Sequence, residues 1–226
     1  MIFYFDLELF KEKQEKFKQF DSSTFPYSFR EFWKWKTSIE TNKGHILDEY
    51  HRKETFRRLG ETLKRWQWHR PYNFIEVAGR LKDALEKIHD AYNQVRNYSL
   101  LEFSEIPNDL LELIWHELGC VKTDEERNPT GYYLVMGTTK PLMFLWGQTL
   151  AFDSIVRKRM PRFDVRGVSG DYWNLETWKG VMMRFQEGLK RQPEVVVLLK
   201  EVSRKEYRTT SIIPYGQFLD LYYWVR

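Results

Sequence analysis

Lys140 and Asp153 are the residues of this chain whose types and surroundings best suit a chemical role. Lys140 stands directly before Pro141, Leu142, Met143, Phe144, Leu145 and Trp146. An ammonium drawn into such an apolar stretch loses hydration, which lowers its pKa and frees the amine to act as a nucleophile. Asp153 precedes a short segment with helical character. A carboxylate there is favoured by the helix dipole and unpaired amides, and it would stabilise an oxocarbenium cation or orient a water. The plainer reading makes Asp153 an ordinary N-cap and leaves Lys140 as a first-turn lysine in solvent.

Arg157, Lys158, Arg159, Arg162 and Arg166 follow within a few residues, against the single acid Asp164. A second basic run, from Arg52 to Arg70, is interleaved with Trp66, Trp68 and His69. Bases with aromatics suit phosphate contact plus stacking, although a charge run is by default a solvated surface. His116 and Cys120 fall on one helical face, as a zinc pair requires. No other cysteine exists, and His45, His51, His69 and His89 lack ligand spacing to the pair, so no metal site is expected. Gly60, Gly79, Gly119, Gly147 and Gly180 are isolated, which removes phosphate-binding loops and dinucleotide fingerprints and leaves no cofactor implied.

From Val135 to Arg157 the chain reads as a turn at Gly137 and Thr138, a short apolar helix, a second turn at Gly147, and Asp153 at the front of a basic helix. This stretch resembles the helix-hairpin-helix and aspartate region of the DNA base-excision glycosylase superfamily. The resemblance implies that a hairpin of Gly137, Thr138 and Thr139 grips backbone phosphate, that Lys140 attacks the sugar carbon, and that Asp153 opens the following helix, with Val156 and Arg157 as the apolar-basic pair behind it. The chain departs from the pattern where Thr138 or Thr139 replaces the second hairpin glycine, where Pro141 follows the lysine directly, and in a shorter lysine-to-aspartate gap. As a whole it also resembles a group of uncharacterised bacterial helical proteins, through Tyr50-His51, Leu63 to Arg70, the Lys140 helix followed by Ala151-Phe152-Asp153, and Leu219 to Trp224.

The elements that must position these residues are mostly helical. Phe74, Val77, Leu81, Leu85, Ile88, Tyr92 and Val95 recur at helical steps and predict one long amphipathic helix from Asn73 to Val95. Phe56, Leu59, Leu63 and Trp66 predict an antiparallel partner ended by Pro71, and Pro107 opens a third helix that Gly119 terminates. The polar stretch between Cys120 and Tyr132 is a candidate seam between an N-terminal half, 1–120, and a C-terminal half, 132–226, within two domains or one. Further helices are expected over 138–146, 151–160 and 174–189. Val195 to Leu199 suits a strand or a helix, with helix favoured after Pro193. The expected class is therefore a mainly α, multi-helix globular domain, with a hairpin-like element and a small β element near the C-terminus.

A chain of 226 residues can bury a continuous core. At 42% hydrophobic and 17% aromatic it is too apolar for disorder, while 30% charged residues and a mean hydropathy of −0.61 are too polar for a membrane bundle. The longest uncharged apolar run, Pro141 to Phe152, is too short to span a bilayer, and the start lacks a secretion signal. Cys120 alone makes no internal disulfide, which fits a reducing cytoplasm. The net charge of +4 decides little. Two functions compete: a DNA-binding protein of helix-hairpin-helix type with glycosylase or lyase chemistry, and a non-catalytic module binding a protein partner, such as a subunit of a bacterial defence or regulatory assembly. The oligomeric state is left open.

Overall fold

A computed structural model of the chain describes residues 3–18, 25–40, 44–122, 131–160, 172–209 and 212–225. Among them the protein is mainly helical. The order is α1 (Leu7–Lys18), α2 (Phe25–Glu40), α3 (Arg52–Arg65), α4 (Phe74–Lys87), α5 (His89–Val95), a 3-10 helix (Leu100–Glu105), α6 (Asn108–Cys120), β1 (Tyr133–Leu134), α7 (Val135–Trp146), α8 (Ser154–Arg159), β2 (Tyr172–Trp173), α9 (Leu175–Lys190), α10 (Pro193–Tyr207) and α11 (Tyr215–Trp224). No helix among the described residues is long and apolar enough to cross a membrane.

Two helices form the centre. From Gly137 to Trp146 every residue of α7 is buried, and so is α11 from Tyr215 to Tyr223. A helix apolar on all sides must be wrapped by others. Here α2, α3 and α6 pack on α7, while α1 and α8 pack on α11. One cluster of buried apolar side chains runs from Phe3 to Tyr223 and takes in both halves of the chain, and the 123–130 part of the expected seam lies outside the described residues.

The small sheet is not near the C-terminus. β1 pairs antiparallel with β2, Tyr133 opposite Trp173 and Leu134 opposite Tyr172, in the middle of the chain. The expected C-terminal position is corrected because Val195, Leu199, Ser203 and Tyr207 are buried at every fourth residue, so a helical stripe outweighs the β-branched run. The predicted helix from Asn73 to Val95 is two, divided at Ile88, whose backbone leaves helical geometry (φ −84°, ψ 2°). Leu85, Ile88 and Tyr92 are buried on both sides of that break, so the apolar pattern gives no sign of it. Gly119 lies inside the last turn of α6 rather than ending it. A Cβ there would stand 2.5 Å from the Tyr133 ring, so its role is close packing on β1.

Candidate functional site

Pro141 sits inside α7 and has no N–H, so the carbonyl of Gly137, four residues back, loses its helical donor. Trp68, from the turn after α3, supplies the replacement: its Nε1 donates to that carbonyl at 3.1 Å. The indole thereby fixes the turn of α7 that carries Lys140. Lys122, just beyond α6, lays its stem against Gly137, where a Cβ would come within 3.2 Å of its Cδ. Its buried ammonium donates to the carbonyls of Trp68 and, at 3.0 Å, of Arg70. Lys140 is buried beside this arrangement, with its ammonium 5.9 Å from the Trp66 ring centre.

Asp153 is positioned from the far end of α7. Gly147 ends that helix with φ +74°, a left-handed turn where a Cβ would strike Trp33 at 2.3 Å. Its carbonyl accepts from Gly216 N at 2.9 Å, docking the start of α11 on the turn. One helical turn along α11, Asp220 accepts from Ala151 N at 2.8 Å. At the next peptide, Thr139 Oγ1 lies 2.8 Å from Ala151 O and 2.7 Å from Val135 O, so one proton is shared between two acceptors. Phe152 then takes a left-handed φ of 49° while fully buried against Trp173, and Arg157 Nε donates to its carbonyl at 2.8 Å. A bulky residue in that region is strained and persists only because its surroundings hold it. The product of these restraints is Asp153 as N-cap of α8, its Oδ1 accepting from Ile155 N and Val156 N at 2.9 Å. Its Oδ2 accepts no hydrogen bond among the described residues.

Lys140, Asp153 and Asp220 form one electrostatic group. Burial is the larger influence on Lys140 and pulls its pKa down, against the opposing pull of the Asp153 and Asp220 carboxylates. Asp220 is fully buried and pushed up to about 8, first by burial and then by the Asp153 charge; the Ala151 amide and Lys140 offset only part of this. At neutral pH Asp220 is therefore mostly a neutral acid that accepts from Ala151. Lys122 is pushed down to about 8 by burial, and the Lys140 charge adds to that.

The two residues singled out for chemistry feel each other's charge, and Lys140 is buried rather than in solvent. Gly137, Thr138 and Thr139 lie within α7 and are fully covered, with Gly137 packed on Lys122 and Thr139 bonded to the turn. Arg157 and Arg159 bind backbone: Arg159 Nη1 reaches the carbonyls of Tyr223 (2.9 Å) and Trp224 (2.6 Å) at the end of α11. Lys158 is exposed, and Arg162 and Arg166 lie outside the described residues. On α3, two of the bases pair along their own helix, Arg57 with Glu54 and Glu61, and Arg58 with Glu54. Cys120 Sγ is 3.8 Å from His116 Nε2 and 4.0 Å from the Tyr133 hydroxyl, and among the described residues no group of three or more His, Cys, Asp or Glu gathers around a point. Sequence reading missed Asp220 and Lys122. Asp220 had a signal, being the one acid in the apolar run from Tyr215 to Trp224; Lys122 had none, as it sits in a polar stretch. No protein family, curated protein or solved structure matches the chain.

Proposed function

We propose that the protein is a nucleic-acid enzyme of glycosylase or lyase type, with Lys140 as the amine nucleophile and Asp153 as the carboxylate that stabilises positive charge on the sugar. The observation that supports this reading is a buried Lys140 on α7 that lies within the electrostatic reach of Asp153, the cap of α8, and of Asp220 on α11. The phosphate grip would come from Lys158, Arg162 and Arg166, because the Gly137 turn is enclosed within α7 and Arg159 is bonded to the end of α11.

On an abasic sugar, the amine of Lys140 adds to the C1′ aldehyde, both amine protons leave with the aldehyde oxygen as water, and an imine joins the lysine to C1′. Loss of the C2′ proton to a base then lets the electron pair expel the 3′ phosphate, which breaks the strand. The test is strand cleavage on duplexes carrying an abasic site, uracil or 8-oxoguanine. Lys140→Met, which keeps the buried volume, should abolish cleavage, and Asp153→Asn should slow base release far more than it weakens binding. Cleavage undiminished in Lys140→Met, or no cleavage of any duplex by the folded wild-type protein, would overturn the reading.

A further inference from the structure

Away from Lys140, a cavity of about 480 Å³ opens between the end of α5, the 3-10 helix, α10 and the start of α11. Small-ligand sites run from roughly 300 to 1,000 Å³. Three donors line it. Tyr215 is only 2% exposed, yet its hydroxyl makes no hydrogen bond among the described residues. Arg96 is fixed on one side, by Nε to Asn93 Oδ1 at 3.0 Å and by Nη1 to Gly44 O at 3.4 Å and Glu40 at 3.7 Å. Its Nη2 has no acceptor among the described residues. Lys200, exposed on α10, enters no ion pair among them.

Gln148, Glu102 and the Asn97 amide, which also line it, are already engaged. Gln148 accepts from Leu100 N and donates to Ile213 O, both at 2.8 Å, while Glu102 Oε2 accepts from the Ser99 amide and hydroxyl. Glu102 is also the one carboxylate among the lining residues. Burial and the Glu102 charge push Tyr215 up to about 12, so its hydroxyl stays a donor. Leu101, Ile212 and Ile213 supply an apolar wall.

We propose that this cavity binds a small oxyanion carried on an apolar body, a carboxylate or a phosphate monoester, with Tyr215, Arg96 and Lys200 holding the charged head and Leu101, Ile212 and Ile213 covering the rest. Calorimetric titration of the full chain with inorganic phosphate, benzoate and phenyl phosphate tests it. Benzoate, phenyl phosphate or both should bind, at least about 10-fold tighter than inorganic phosphate because the ring is buried. Whichever of the two binds tighter names the head group. Tyr215→Phe, which keeps the ring packing, should weaken that binding about 10-fold, and Lys200→Ala about 3-fold. No binding of any probe at millimolar concentration, equal affinity for phosphate and the ring-bearing probes, or affinities unchanged in both variants would overturn it.

Discussion

Lys36 and Lys140 are both buried lysines on helices, and they meet their counter-charges in opposite ways. Lys36 pairs directly with Glu40, one turn further along α2, and Arg96 and the Tyr92 hydroxyl complete the acid's surroundings at 3.7 and 3.4 Å. The Tyr92 hydroxyl also lies 2.8 Å from Leu145 O, which ties this closed group to α7. Lys140 instead takes its carboxylates from the cap of α8 and the middle of α11, each held by backbone amides. A local pair forms as soon as its helix does. A group gathered from three elements exists only once α7, the turn at Ala151 and α11 are all in register, and that register holds Phe152 in a strained conformation and encloses Gly147.

The largest test of this contrast is on stability. Glu40→Gln leaves Lys36 buried without its ion partner and should cost about 3–5 kcal/mol in denaturant unfolding. Lys140→Met removes a buried amine and strands no second buried charge, so stability should change by less than about 1 kcal/mol. The reverse ranking would break the comparison.

Next in size is pH dependence. Asp220 has its pKa raised from 3.8 to about 8, so across that window the folded chain keeps a proton that the unfolded chain has released. Stability should therefore fall as pH rises through the window, by at most about 1.4 kcal/mol per pH unit, and Asp220→Asn should flatten the slope. Lys122 has the opposite sign. Its pKa is lowered from 10.5 to about 8, so the stability linked to it is full above the upper value and lost as pH falls to the lower one. Denaturant midpoints at a series of pH values check both.

The smallest effects separate roles on α8. Asp153→Asn keeps the cap acceptor and should leave stability within about 0.5 kcal/mol. Lys158→Ala should be equally mild on stability, while reducing any DNA affinity evenly across sequences and the salt slope by about 1. Arg159→Ala should loosen the end of α11, seen as faster amide exchange at Tyr223 and Trp224.

Lys140 and Asp153 were legible in the sequence because each carries a local mark, an apolar flank and a helix start. The helix class, the turn at Gly147 and the helix start at Asn73 followed from equally local signals. Asp220 was hidden because its meaning depends on the Gly147–Gly216 contact, which brings distant residues together. The enclosure of Gly137 was hidden because a glycine before a polar pair reads the same whether it turns at the surface or lies under Lys122. In the basic runs, the sequence shows the charges but not that Arg57 is bonded to Glu54 and Glu61, or Arg159 to backbone.

The most direct test of the central claim is borohydride trapping on an abasic duplex. Hydride reduction of the imine to a secondary amine leaves protein and DNA covalently joined. The account predicts a trapped species in the wild-type protein, with the cross-link mapping to Lys140 by peptide mass and lost in Lys140→Met while Lys122→Met still traps. A cross-link on Lys122 or another lysine, or trapping undiminished in Lys140→Met, would contradict it.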